Sequence, residues 1–167
     1  MQKPAIKNWR KGEIEIAQTR DFTRVAAMLE AAGMSAEGIA RPAGCCLMAY
    51  LGAEAAGVVG IETKIDAALM RSLLVEEPMR GRGVGAALIA AARAAAHTRG
   101  ARRLYAFARG DAGKYLARFG FAPVAMNELL DALAGTFVAD YVRARPGELS
   151  CCSAQCLDIS RDGVIER

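Results

Sequence analysis

The sequence has one histidine, no Cys-x-x-Cys motif and no apolar run of the roughly 18 residues that cross a bilayer. It therefore lacks the ligands of an ordinary zinc site, and neither a metal nor a membrane partner is expected. The basic first residues lead into no apolar stretch, so no secretory signal is predicted and a cytoplasmic location is expected. The net charge of +4 is modest, and the positive residues form no stripe with interleaved aromatics. Nucleic acid is therefore not an expected partner.

The five cysteines fall into two groups, Cys45–Cys46 and the C-terminal set Cys151, Cys152 and Cys156. An odd number of cysteines without a secretory signal favours reduced thiols over a disulfide framework. The C-terminal set has two interpretations. It could bind a soft metal or an arsenical, or its members could pack as small apolar side chains in a terminal strand. We favour the second interpretation.

The length and the hydropathy pattern predict one domain. With 167 residues, 53% of them hydrophobic, the chain can bury a sizeable core. Residues 1–12 are expected to be a loose arm and residues 161–167 a frayed tail, which leaves the domain at 13–160. Strands are predicted by alternation, and helices by apolar residues at helical spacing. The predicted strands are 13–17, 45–51, 57–64, 69–75, 103–108 and 152–159, and the predicted helices begin at residues 22, 84, 114 and 127.

Residues 73–87 are the most informative segment. An apolar run ends at a short loop that contains proline, three alternating glycines follow, and an alanine-rich helical pattern begins at once. The first amides of a helix have no partner within it, and the helix dipole adds positive potential there. Glycines let a phosphate approach the backbone, and arginines add fixed charge. The segment predicts a diphosphate site made of Arg80, Gly81, Arg82, Gly83, Val84, Gly85 and Ala86.

Two glycine signatures compete for this segment. Gly81-x-Gly83-x-x-Ala86 matches a loose dinucleotide fingerprint, but that motif expects the first glycine directly after the strand. Arg80-x-x-Gly83-x-Gly85 resembles the acyl-CoA motif of the GNAT superfamily of N-acetyltransferases. The preceding 73–78 block and the later 115–121 block, which closes in Gly-Phe, resemble the same family in the same order. The resemblance covers roughly residues 14–124, and we favour it over the dinucleotide interpretation.

The GNAT resemblance implies an α/β (α+β) fold with a mixed, mostly antiparallel twisted sheet of six to seven strands and flanking helices. It implies acetyl-CoA as co-substrate, a small-molecule amine as acceptor, and a possible homodimer. In this family the backbone at Leu73, Leu74 and Val75 would pair with the pantetheine arm and polarise the thioester carbonyl. The segment 34–44 would shape the acceptor pocket.

Two charged residues in the apolar hairpin are candidates for the acceptor side. If Ile65 pairs with Ala68, Glu62 lies directly opposite Arg71 on the same face of the sheet. The pair could be a salt bridge that fixes the register. Alternatively, Arg71 could bind an anionic group of the acceptor while Glu62 steers the amine or its proton. Arg109, at the end of a predicted strand, is a further candidate for the acceptor side.

The proton donor cannot be assigned from the pattern. In the resembled family a tyrosine often lies five residues before the phenylalanine of Gly-Phe, and Leu116 occupies that place here. Tyr115 is one residue earlier, which turns its side chain by about 100° on a helix. Tyr115 is thus either a catalytic acid or a packed aromatic. A domain that binds acyl-CoA as a sensor or scaffold, without turnover, is the alternative to an enzyme.

A narrower resemblance points to detoxification. Residues 60–62, 69–75 and 153–157 resemble GNAT proteins of the arsenic-resistance N-acetyltransferase group. Those relatives also lack the usual tyrosine. The resemblance implies a small-molecule acceptor of the resistance or detoxification kind, with an amino-bearing arsenical as one candidate.

Overall fold

A computed structural model describes residues 14–41 and 44–161, and the predicted arm at 1–12 and most of the predicted tail lie outside them. Seven strands form one sheet in the order β1-β2-β3-β4-β5-β7-β6. The β4–β5 pair is parallel, whereas β1–β2, β5–β7 and β6–β7 are antiparallel. This confirms the predicted mixed, mostly antiparallel sheet with flanking helices. The strands are β1 (Ile14–Thr19), β2 (Gly44–Leu51), β3 (Glu54–Lys64), β4 (Ala67–Val75), β5 (Arg103–Arg109), β6 (Ala122–Val124) and β7 (Cys152–Asp158). The helices are α1 (Phe22–Ala31), α2 (Val84–Thr98), α3 (Ala112–Ala117), α4 (Met126–Ala132) and α5 (Phe137–Ala144).

The chain forms two compact units, one made of residues up to Ile61 with Arg71–Ala92, the other of Glu62–Met70 with Arg93 onward. Each unit has its own apolar core. The core of the first unit contains Val25, Leu29, Ile39, Cys46, Met48, Val58 and Leu74. The core of the second contains Ala67, Leu69, Tyr105, Leu129, Leu133, Ala139 and Ala154.

The helix ends follow the sequence signals. Asp21 caps α1, because its Oδ1 accepts a hydrogen bond from the amide of Arg24 at 3.0 Å. Gly33, with φ 71°, follows the end of α1, and Gly100, with φ 90°, follows the end of α2. The predicted starts of α1 and α2 and their terminating glycines are therefore confirmed.

The hairpin between β3 and β4 turns one residue earlier than predicted. Strand β3 ends at Lys64 and β4 begins at Ala67, so the turn is Ile65–Asp66. A Cβ at Gly60 would lie 3.2 Å from Cγ of Arg71, which places Gly60 beside Arg71. The predicted direct pairing of Glu62 with Arg71 is therefore wrong by two residues along the same face of β3. The sequence allowed either turn because small apolar residues follow Asp66 on the β4 side.

Two helices differ from the prediction. Helix α3 begins at Ala112 rather than at Lys114, and α5 was not predicted at all. The signal for α5 is nevertheless present, since Thr136 is its N-cap and accepts from the amide of Ala139 at 3.3 Å.

Gly57 on β3 lies where the backbone of β4 comes very close. A Cβ at Gly57 would be 2.5 Å from the carbonyl oxygen of Leu74 and 3.0 Å from Cδ1 of Leu88. Within β4, Ser72 has φ 55°, a left-handed conformation that is uncommon for a residue with a side chain. Strand β4 is therefore distorted just before its last three residues, and Gly57 leaves the space for it.

We predict that Gly57→Ala destabilises the protein by about 1–3 kcal/mol, because the new methyl group meets backbone that cannot move away. Urea unfolding would measure the loss. Gly147→Ala is the matched control, since its Cβ would meet nothing within 4 Å and its φ is not left-handed. Equal stability of the two variants would contradict the close approach of β4 to β3.

Candidate acetyl-CoA site

The glycine loop connects the end of β4 with the start of α2. After Val75 the chain makes one 3-10 turn, Glu77–Met79, and α2 then begins at Val84. Gly81 and Gly83 have φ values of 77° and 84°, in the left-handed region that favours glycine. A Cβ at either position would meet nothing within 4 Å. Glycine is thus needed here for backbone conformation, and the space beside the loop is available to a ligand.

Arg80 joins the loop to the end of β4, because its Nε donates to the carbonyl oxygen of Val75 at 3.2 Å. Val84 is 1% exposed and anchors the first turn of α2 in the core. The amide of Ala87 donates to the carbonyl of Gly83 at 3.0 Å. The amides that precede such a bond have no acceptor within the helix and are directed out of its N-terminus. They lie beside the exposed Arg80 and Arg82, as anion binding requires.

The last residues of β4 lie in the same unit as this loop. Leu74 is buried in the core, whereas Leu73 and Val75 are half-buried. The ladder between β4 and β5 runs from Ala67–Arg103 to Met70–Ala106, while β4 itself continues to Val75. The predicted cofactor residues from 73–75 and 80–86 are thus consecutive parts of one strand–loop–helix segment, fastened by the Arg80–Val75 bond.

Arg71 is bonded to the segment between α1 and β2. Its Nη2 donates to the carbonyl oxygen of Glu37 at 2.6 Å, and its Nε donates to Oγ of Ser72 at 3.4 Å. Burial and the neighbouring Cys45 raise the pKa of Cys46 to about 11, while the charge of Arg71 acts in the opposite direction. The sequence pointed to Arg71 but not to Glu37, since no local pattern connects them.

Glu62 is buried in the second unit, where it is 3% exposed. Its Oε1 accepts a hydrogen bond from the amide of Phe137, the first residue of α5, at 3.2 Å. A carboxylate at a helix N-terminus satisfies a free amide and interacts favourably with the helix dipole. Glu62 therefore has a structural contact that the sequence could not predict without α5.

Tyr115 lies on α3 and is half-buried. Its ring packs edge-on against Phe119 with 5.2 Å between centroids, and the guanidinium of Arg118 lies 5.7 Å from its ring centre. Burial raises the pKa of the Tyr115 phenol, although Arg118 acts against this rise. The phenol is consequently protonated at neutral pH, as a proton donor must be. Leu116 is 4% exposed and packs into the core.

Arg109, Cys151 and Cys152 lie at one end of the β5–β7 pair. Arg109 is exposed and lies opposite Cys152 in the ladder. Burial raises the pKa of the Cys152 thiol, and its hydrogen bond with Arg109 offsets only part of that rise.

The C-terminal cysteines are too far apart to bind one metal ion together. Cys152 and Cys156 are four residues apart on β7, about 13 Å in an extended strand. Among residues 14–41 and 44–161, no group of three or more His, Cys, Asp or Glu side chains could hold a metal.

The family model of the GNAT acetyltransferases matches residues 5–121. The chain belongs to the GNAT acetyltransferase family. This confirms the family recognised from the three sequence blocks. Comparison with curated protein sequences finds no match.

Solved structures support the GNAT fold. N-acetylglutamate synthase from Neisseria gonorrhoeae, complexed with coenzyme A and L-arginine, superposes with a TM-score of 0.67 at 17% identity. The match covers 89% of this chain but only 34% of the synthase chain, so this GNAT chain spans about a third of that protein. The Mycobacterium tuberculosis protein Rv2747, in complex with CoA, matches with a TM-score of 0.63 at 16% identity, over 85% of this chain and 98% of its own. A GNAT acetyltransferase from Staphylococcus aureus matches with a TM-score of 0.66 at 10% identity, over 87% and 99%. Identities of 10–17% show the fold alone.

None of the helices in the described part of this GNAT chain is both long enough and apolar enough to cross a bilayer.

We predict that Glu62→Ala lowers the free energy of unfolding by about 1–3 kcal/mol, because the half-buried amide of Phe137 loses its hydrogen bond to the Glu62 carboxylate. Glu62→Gln keeps an acceptor oxygen and should lose less. Chemical denaturation would measure both, with Glu54→Ala on the exposed part of β3 as the control. If Glu62→Ala were as stable as the control, the bond to α5 would contribute nothing.

Proposed function

We propose that this chain transfers an acetyl group from acetyl-CoA to the amine of a small molecule. The observation that carries the proposal is the left-handed Gly81–Gly83 loop at the start of α2, joined by Arg80 to the end of β4. No side chain occupies the space above the two glycines, and two arginines flank it. A diphosphate fits this arrangement by charge and by hydrogen-bonding geometry.

The donor would lie along the strand–loop–helix segment. In this proposal the amides at the start of α2, with Arg80 and Arg82, bind the pyrophosphate. The backbone of Leu73–Val75 pairs with the extended pantetheine arm and donates a hydrogen bond to the thioester carbonyl. The continuation of β4 beyond its ladder with β5 supports this role.

In the reaction the amine nitrogen attacks the thioester carbon, and negative charge develops on the carbonyl oxygen. The C–S bond then breaks, CoA leaves as a thiolate that takes up one proton, and the acetylated nitrogen loses one proton.

We propose the protonated phenol of Tyr115 as the donor of the proton that the thiolate takes up. We propose Glu62 as the acceptor of the proton that the acetylated nitrogen loses. On the acceptor side, Arg109 is proposed to bind an anionic group by virtue of its exposed guanidinium. Direct binding of the acceptor by Arg71 stays a prediction.

The acceptor we propose is a small-molecule amine of the resistance or detoxification kind. The similarity of residues 69–75 and 153–157 to the arsenic-resistance N-acetyltransferases supports this acceptor class.

We propose a cytoplasmic location, supported by five free cysteines, two of them buried. The homodimer stays a prediction.

One observation favours a second candidate function, an acyl-CoA sensor without turnover. Leu116 stands where relatives place the catalytic tyrosine, and it is buried in the core. A sensor would be stabilised by acetyl-CoA but would release no CoA thiol with any amine. A thiol-release assay with amino acids, aminoglycosides and amino-arsenicals as acceptors separates the two functions.

The cofactor site is tested by Gly83→Asp. We expect the wild-type protein to gain about 2.7 kcal/mol of stability at 100 times the dissociation constant of CoA. The variant should lose this gain, because a carboxylate enters the space that the diphosphate needs. Thermal unfolding with CoA, acetyl-CoA and NAD measures the effect.

Gly52→Asp is the matched control for Gly83→Asp. Gly52 also has a left-handed φ, 60°, and a Cβ there would likewise meet nothing within 4 Å. Both variants carry the same backbone cost and the same charge, so only the position differs. Normal CoA binding by Gly83→Asp, or stabilisation of the wild type by NAD alone, would refute the proposed site.

The role of Tyr115 is tested by Tyr115→Phe, which keeps the ring contact with Phe119. We expect kcat to fall roughly tenfold or more if the hydroxyl donates the proton. Steady-state kinetics with saturating acetyl-CoA measure it, and Tyr141→Phe removes a hydroxyl from α5 as the control. A kcat within twofold of the wild type would leave Tyr115 as a packing residue.

A further inference from the structure

The segment between α1 and β2 is an ordered coil held by its own backbone. The amide of Ile39 donates to the carbonyl of Ala36 at 3.2 Å, and that of Arg41 donates to Gly38 at 3.3 Å. Gly38 has φ 70°, which the turn requires. The side chain of Ile39 is 8% exposed and belongs to the core of the first unit. We call residues 34–41 the α1–β2 loop.

Arg71 is the side chain of β4 that bonds to this loop. Its Nη2 donates to the carbonyl oxygen of Glu37 at 2.6 Å, a short distance typical of a charge-assisted hydrogen bond. The same guanidinium donates through Nε to Oγ of Ser72. The planar fork of the guanidinium is thereby held at two nitrogens, one on the loop and one on β4.

Gly60 makes this contact possible. A Cβ at Gly60 would lie 3.2 Å from Cγ of Arg71 and 3.3 Å from Cδ1 of Ile39. The stem of Arg71 and the side chain of Ile39 therefore both pack over the bare backbone of Gly60. The charge of Arg71 also acts to lower the pKa of Cys46, although burial raises it overall. The thiol of Cys46 lies 4.0 Å from the carbonyl oxygen of Ile39.

We propose that Arg71 is a positioning residue that holds the α1–β2 loop in place against β4, and that it acts on the acceptor through this loop. Its bonded neighbour Ser72 carries the left-handed φ that precedes Leu73–Val75. Arg71 thus connects the loop with the part of β4 proposed to bind the thioester. The effect on the acceptor rests on the proposed acetyl transfer, whereas the contact with the loop does not.

The contact predicts protection of one peptide bond. Glu37 is exposed, and a protease that cuts after glutamate can cleave the Glu37–Gly38 bond only when the loop opens. We expect Arg71→Ala to speed this cleavage roughly tenfold, because opening no longer breaks the charge-assisted bond. Cleavage after Glu30 within α1 is the internal reference. Arg24→Ala removes an exposed arginine from the same unit and is the matched control.

Arg71→Lys is a second, milder variant that keeps the test valid if Arg71→Ala does not fold. Lysine keeps the charge, but one ammonium lacks the planar fork that joins the loop and Ser72. We expect cleavage between that of the wild type and that of Arg71→Ala. Stabilisation by CoA should be unchanged in both variants, which also reports that they are folded.

Kinetics complete the test. With saturating acetyl-CoA, the KM for the amine should rise roughly tenfold in Arg71→Ala, with a smaller change in kcat. A raised KM without faster cleavage would mean that Arg71 binds the acceptor directly, and would overturn the proposal. Unchanged cleavage would overturn it as well. Faster cleavage in a protein whose wild type acetylates no amine would uphold the contact with the loop and refute the proposed function instead.

Discussion

The path of β4 is the constraint on which the rest of the first unit depends. Its backbone approaches β3 so closely at Gly57 that no side chain fits between them, and it turns through a left-handed residue at Ser72. This fixes the direction of Val75, to which Arg80 bonds. The glycine loop and the N-terminus of α2 are therefore held against the end of the strand. A phosphate site built from backbone amides functions only if that backbone is held in place.

Charged side chains in this protein hold backbone groups. Arg71 donates to the carbonyl of Glu37, Arg80 donates to the carbonyl of Val75, and Glu62 accepts from the amide of Phe137. A charge in an apolar setting needs a partner, because burying it unpaired costs more than folding can supply. Backbone N–H and C=O groups in loops and at helix ends are suitable partners, because no helix or sheet hydrogen bond already satisfies them. A charged residue in an apolar strand therefore indicates that a contact exists, but not which one.

The regular elements were accessible from local patterns. Alternation and helical spacing predicted six of the seven strands, and Asp21, Gly33 and Gly100 marked helix ends as capping physics requires. Short or weakly patterned elements were missed. Strand β6 has only three residues, and α5 has only eight. Such elements exist because they pack against neighbours, which a local window does not contain.

By itself, the sequence determined the sheet class, the glycine loop and the family, because short patterns of neighbouring residues specify each of them. Left-handed glycines between a strand and a helix are a local backbone requirement, and so are helix caps. Only the tertiary structure decided which side chain bonds to which distant backbone group. Arg71 bonds to the carbonyl of Glu37, 34 residues away, and Glu62 bonds to the amide of Phe137, 75 residues away. Such pairs follow from the packing of whole elements and the register of β3 with β4. No periodicity of a single segment encodes them, since the one-residue shift in the hairpin turn moved Arg71 from Glu62 to Gly60.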